Sequence, residues 1–176
     1  QAVLERVSGQ TMAEYFRARI FAPAGMADTH VLNAPGSPAL QVQGYEDLFG
    51  TGPVDTRPYF HAPGFGDGGL LTTAGDVARL YRALFSAQTL LSPDSLRQLQ
   101  HDPLSVGYGM GIHTEDLAGI GPLLGHEGGD FGFISDVRYA PRLDAIAVLL
   151  WADGAGDNAL TYDLLEALAE QTAKMH

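Results

Sequence analysis

The chain contains no cysteine. Disulfide scaffolds, thiol nucleophiles and thiolate metal sites are therefore excluded, and both oxidising and reducing compartments stay open. Lysine is nearly absent. Nine of the ten basic residues are arginine, and the single lysine is Lys174, close to the C-terminus. Against 21 acidic residues this leaves a net charge of −11 and an isoelectric point near 4.7. No basic footprint exists for nucleic acid, and adsorption to an anionic membrane is disfavoured by the same charge. Long apolar runs are also missing. The longest, Ala145 to Ala152, is far below the ~20 residues of a membrane span.

What is present describes a globular domain. The 176 residues are 45% hydrophobic and 18% charged, with mean hydropathy of zero. That length is sufficient for one domain with a substantial core. The chain starts at Gln1 without Met, inside an apparent helix carrying Ala2, Val3, Leu4 and Val7 and stopped at Gly9. Such a start predicts part of a longer protein. Thr11 and Glu14 have capping-box spacing ahead of a helix with Met12, Tyr15, Phe16 and Ile20 on one face, ended by Pro23 and Gly25.

Residues 33–69 are dense in glycine and proline and predict a long pocket-shaping loop, with Tyr45, Phe49, Tyr59, Phe60 and Phe65 as apolar anchors. Thr73 and Asp76 open a helix whose Val77, Leu80, Tyr81, Leu84 and Phe85 follow helical spacing. Ser92-Pro93 opens another with Leu96 and Leu99 inward. The period then changes. Tyr108 to His113 and Leu123 to Gly129 read as strands. Phe131, Phe133, Ser135, Val137 and Tyr139 alternate, and Ala145 to Trp151 is an apolar strand. Asp157 or Asn158 caps a last helix with Leu160, Leu164, Leu165 and Leu168. Helices followed by adjacent antiparallel strands and one closing helix predict an α+β fold. The division is a helical portion at 1–104, including the long loop, and strands with a closing helix at 105–176.

Candidate chemistry concentrates in one place. None of Ser8, Ser37, Ser86, Ser92, Ser95, Ser105 and Ser135 has the glycine flanks of a nucleophile elbow, or Lys three residues on. No two of His30, His61, His101, His113, His126 and His176 have the spacing of a helical zinc motif, so no metal and no cofactor is expected. Gly66-Asp67-Gly68-Gly69 lacks an adjacent cation and reads as a turn, not a phosphate loop. In Gly125-His126-Glu127-Gly128-Gly129-Asp130, strand alternation puts His126 and Gly128 on one face and Glu127 on the other. A bare glycine beside an imidazole lets a ligand lie against the backbone, and the Gly129 amide then has a carbonyl oxygen within reach. The same residues also read as a tight turn with a surface histidine.

Four segments in register resemble the serine β-lactamase and D-alanyl-D-alanine carboxypeptidase superfamily, in its class C-like branch with related esterases. They are Val7-Ser8-Gly9-Gln10 with Ile20 through Thr29; Gly68 through Arg79; Tyr108-Gly109-Met110-Gly111; and Gly125-His126-Glu127-Gly128-Gly129 with Gly132-Phe133. The resemblance implies an antiparallel sheet flanked by helices, joined to a helical portion, with the site between them. It implies a small-molecule acyl substrate, whether β-lactam, peptide or ester, cleaved through a seryl ester. It places His126 and Gly128 in the third motif of the family, binding substrate, and gives Gly129 one oxyanion-hole amide. The Ser-x-x-Lys and Tyr-x-Asn motifs of the family are not in this chain. By the resemblance they lie upstream, so the chain is expected to be the C-terminal part of such a hydrolase, inactive alone. The strand Ala145 to Trp151 would then present an unpaired edge, covered by the missing half or by a second copy. Periplasmic or secreted relatives imply export. Two other readings remain: a non-enzymatic binding module with a vestigial His-x-Gly pocket, and a metal hydrolase centred on His126, Glu127 and Asp130.

Overall fold

A computed structural model describes residues 1–59, 66 and 68–174. The expected roles of Phe60, His61, Phe65, Asp67 and His176 lie outside the described residues. Helix α1 (Ala2–Ser8) ends at Gly9, whose φ of 68° is the left-handed conformation that glycine adopts without steric cost. The capping box at α2 (Met12–Phe16) is complete. Thr11 Oγ1 accepts from the Glu14 amide at 3.3 Å, and Glu14 Oε2 accepts from the Thr11 amide at 2.9 Å. A π-helical turn (Arg17–Phe21) carries α2 into α3 (Ala22–Ala24). Pro23 therefore does not end the helix. It sits in the first turn of α3, where a missing N–H is tolerated, and Gly25 makes the stop.

The 33–69 stretch is mostly irregular but is pinned by short pairings. Strand β1 (His30–Val31) pairs with β4 (Leu70–Leu71), and β2 (Tyr45–Glu46) with β3 (Val54–Asp55). The expected aromatic anchoring is corrected here. Phe49 is exposed, and Tyr45 anchors the loop through its backbone. Its amide donates to Ala152 O at 3.2 Å and its carbonyl accepts from Gly154 at 2.8 Å.

Thr73 caps α4 (Ala74–Tyr81), which runs on through a second π turn (Arg82–Ser86). Ser92 caps α5 (Pro93–Gln100). The main sheet has the order β5-β6-β7-β8, all antiparallel: β5 (His113–Leu117), β6 (Gly121–Asp130), β7 (Phe133–Ala140) and β8 (Ala145–Trp151). The long helix α6 (Ala159–Lys174) closes the chain.

Three sequence expectations are corrected. Tyr108 to His113 is not a strand. It is a tight reversal bridged between its two ends, because Gly107 and Gly111 turn the backbone at φ of 79° and 76°. Phe131 leaves the strand alternation and sits in the β6–β7 turn at φ 23°. In α6, Leu165 is the leucine that enters the core, at 2% exposure. Leu164 is 56% exposed, with Leu160 and Leu168 on the same outer side.

Both faces of the sheet are covered. On one, Leu124, Val137 and Tyr139 pack with Ile112 against Tyr81, Phe85 and Leu96 from the helices. Phe85 stacks on Tyr139 at 5.9 Å between centroids. On the other, Leu123, Ala140 and Ala147 pack with Ile120 against Leu165. Burial of each large side chain contributes about 1.5–3 kcal/mol. These two clusters join the helices to the strands and fix β6 in place.

Candidate active site

Strand β6 has strand partners on both sides only at Leu124 and Gly125, near its middle. Strand β5 meets it from Leu117↔Gly121 to His113↔Gly125, and there β5 begins. From His126 to Asp130 the strand has β7 on one side, and among the described residues no strand on the other. This half carries the candidate residues on a free edge. The register fixes their faces. His126 opposes Val137 and Gly128 opposes Ser135, whereas Glu127 opposes Asp136.

His126 has polar partners at both ring nitrogens. Nε2 lies 3.0 Å from the Tyr108 hydroxyl, and Nδ1 bonds the carbonyl of Glu127. A carbonyl only accepts, so Nδ1 carries the proton and Nε2 takes the Tyr108 hydroxyl proton. His113 completes the cluster, its ring centroid 5.1 Å from His126 and 4.6 Å, edge-on, from Tyr108. A Cβ at Gly128 would sit 2.8 Å from Ser135 Oγ, so a side chain there requires that hydroxyl to turn away. At Gly129 an added Cβ would meet nothing within 4 Å.

Glu127 is turned away from His126. It pairs with Arg138, whose Nη2 is 3.2 Å from Glu127 Oε2 and 3.1 Å from Asp136 Oδ1, while Nε is 3.0 Å from Glu115 Oε1. Arg138 and Asp136 are buried. The Asp136 Oδ1 contact has ion-pair distance without hydrogen-bond alignment. Burial opposes the Arg138 charge, but the Tyr162 hydroxyl and the surrounding carboxylates outweigh it and raise the guanidinium pKa. This separation of Glu127 from His126 corrects the metal-hydrolase reading. Among the described residues no group of three or more His, Cys, Asp and Glu is arranged to hold a metal ion.

Tyr108, His113 and Arg138 were not legible as site residues. The glycines at 107, 109 and 111 were the available signal that this segment turns back on itself. His30 lies in β1, and His101 follows α5.

Comparison with known proteins decides the family. The family model described as Beta-lactamase matches residues 1–171. The chain belongs to the Beta-lactamase family. A D-aminopeptidase of Cereibacter sphaeroides is 27% identical over 172 residues, covering 94% of this chain and 32% of the relative. Among solved structures, a penicillin binding protein from Bacillus halodurans superposes with a TM-score of 0.76 at 27% identity, covering 96% of this chain and 52% of that one. A D-stereospecific amidohydrolase from Streptomyces sp. shares the fold at a TM-score of 0.70 and 23% identity, over 92% of this chain and 50% of that one. The chain spans about a third of the curated relatives it matches and about half of these structures. Its α+β architecture is that of penicillin-binding-protein and β-lactamase-like folds, in a family of serine hydrolases.

Proposed function

We propose that this chain is the part of a penicillin-recognising serine hydrolase that carries its His-x-Gly strand, His126-Glu127-Gly128. The observation that supports this best is the free edge at 126–130. There a histidine with a defined tautomer stands beside a glycine whose bare backbone faces only the Ser135 hydroxyl. An acyl substrate laid along this edge meets backbone groups that no other strand among the described residues occupies. His126 then faces the substrate and its proton network. Gly128 allows close approach, and the Gly129 amide serves as one oxyanion donor, acting where negative charge develops. The nucleophile and base are the Ser-x-x-Lys pair of the family, which this sequence does not contain. The reaction is acyl transfer through a seryl ester, opened by water. Substrates are β-lactams, D-Ala-D-Ala peptides, esters or amides. The D-aminopeptidase relative favours amides of D-amino acids.

Strand β8 pairs with β7 alone among the described residues, so it presents an open edge. We assign that edge to the remainder of the hydrolase domain and take a second copy as the competing occupant. The 176-residue chain alone is expected to give no labelling by a fluorescent penicillin and no cleavage of D-amino-acid p-nitroanilides. The reading frame extended upstream to in-frame Ser-x-x-Lys and Tyr-x-Asn motifs is expected to label on that serine and to lose most turnover with His126→Ala. Labelling of the 176-residue chain by itself would overturn this assignment of roles.

A non-enzymatic module with a vestigial pocket is the second reading. It is favoured by the absence of Ser-x-x-Lys from these 176 residues. An upstream frame without that motif would select it.

A further inference from the structure

We propose that Tyr108 is a positioning residue for His126, and that Asp102 is the residue that holds Tyr108 in place. The proposal rests on the hydrolase reading for its consequence in catalysis, but the contact itself is a property of this chain.

Tyr108 reaches His126 from a loop with little freedom. The Asp102 carboxylate accepts the amides of Leu104 at 3.2 Å and Gly107 at 2.6 Å, one on each oxygen. The Val106 and Tyr108 amides also act on it. Burial pushes the Asp102 carboxyl up, and these four amides outweigh it and hold it below the usual carboxylate range. The turn beyond is tied at three points: Gly109 N to Ile112 O, Met110 N to Leu99 O and Thr114 N to Gly107 O, each 2.8 Å. A Cβ at Gly107 would lie 2.9 Å from Thr114 O, and one at Gly109 would run into Leu99 O. Ser105 holds a positive φ of 54°, a conformation uncommon outside glycine and one the anchored loop must support. The loop thus delivers one hydroxyl to Nε2, while the Glu127 carbonyl occupies Nδ1. With both nitrogens engaged, the imidazole has one tautomer and one ring orientation at the mouth of the free edge.

The test is nitrogen-15 NMR of the histidine side chains in the 176-residue chain. Wild type is expected to show His126 with protonated Nδ1, a hydrogen-bonded imine Nε2 and a Tyr108–His126 nuclear Overhauser contact. Tyr108→Phe is expected to move the Nε2 resonance downfield to that of a free imine nitrogen, leaving His30 and His101 unmoved. Asp102→Asn, which replaces one accepting oxygen by a donor, is expected to produce part of the same shift and to weaken the Overhauser contact. A wild-type His126 protonated at Nε2, or a Y108F spectrum unchanged at His126, overturns the proposal. An unchanged D102N spectrum overturns the role of Asp102. Should D102N not fold, amide exchange in wild type decides: protection at Gly107 and Tyr108 supports that role, and free exchange removes it. In the extended hydrolase, Y108F is expected to lower kcat/KM by up to about 10²-fold, with the loss mainly in kcat. Turnover unchanged in Y108F refutes positioning while leaving the hydrolase reading intact. A hydrolase that labels on no serine refutes that reading and leaves the NMR contact standing.

Discussion

Arg138 lies across Gly125, its partner in the β6–β7 ladder, so closely that a Cβ at Gly125 would sit 2.7 Å from Arg138 Cδ. The same missing side chain clears the Val137 carbonyl oxygen. The glycine just before His126 is therefore a seat for a buried guanidinium that also grips Glu127 just after it. Both neighbours of His126 are tied to one side chain on the far face of the sheet.

Gly125→Ala is expected to destabilise by about 1–3 kcal/mol, because the added methyl collides with backbone as well as with a movable side chain. Gly129→Ala, with open space around the new Cβ, is expected to cost less. Urea unfolding of the two variants measures the difference. Equal costs would mean that Arg138 does not lie over Gly125.

Removing Arg138 leaves Asp136 buried and unpaired, so Arg138→Ala is expected to cost about 3–5 kcal/mol. Asp136→Asn is expected to cost less and to alter the pH dependence. Burial, the largest influence, raises the Asp136 carboxyl above 3.8, against the pull of Thr161 and Arg138. The folded state then holds this proton more tightly than the unfolded chain. Its contribution is full below the unfolded value and is lost as pH rises through the folded one. Wild-type stability relative to D136N should therefore fall as pH rises above about 4. Chemical denaturation across the weakly acidic range checks the sign, and a rise would exclude a raised carboxyl.

Asp76 is fully buried and accepts from the Asp28 amide and the Thr29 hydroxyl, each at 2.8 Å, while pairing with Arg79 at 2.5 Å. It stitches α4 to the segment that leads into β1. Burial works against its charge, and these partners outweigh it and lower its pKa. Its contribution is present above the unfolded value of 3.8 and is lost as pH falls through the lower folded one. Asp76→Ala is expected to cost about 1–3 kcal/mol in thermal or urea unfolding at neutral pH, because the Asp28 amide and Thr29 hydroxyl lose their acceptor while Arg79 stays half exposed. A cost below 1 kcal/mol would show that the buried network is not formed.

The two sides of α6 are separable by substitution. Leu165→Ala is expected to cost about 2–5 kcal/mol, from lost burial and the cavity left behind. Leu164→Glu, on the outer side, is expected to change stability by no more than about 0.5 kcal/mol in the 176-residue chain. If Leu164→Glu proves strongly destabilising there, that side is covered in solution, and the molar mass from sedimentation in the ultracentrifuge would show whether a second copy covers it.

Local patterns in the sequence determined a good deal. The Thr11–Glu14 capping box, the Thr73 and Ser92 caps, the stop at Gly9 and the apolar strand at 145–151 are short-range effects of hydrogen bonding and periodicity, and they survive into the structure. The family resemblance was carried by motifs that are themselves local, including the His126-Glu127-Gly128 stretch. Tertiary structure decided what such patterns do not encode. Which of four leucines on α6 enters the core depends on the rotation of that helix against the sheet, because Leu164 and Leu165 are both apolar and differ by only one residue. The π turns at 17–21 and 82–86 shift the helical phase with no sequence mark of their own. Tyr108 meets His126 because the glycines of the 107–111 reversal and the end of β5 place them together, 18 residues apart in the chain. Arg138 is buried because α6 covers the far face of β7 and Gly125 leaves it room. The residue types at the site were legible in one dimension. Their partners were not, since side-chain contact is set by strand register and by the elements packed on each face.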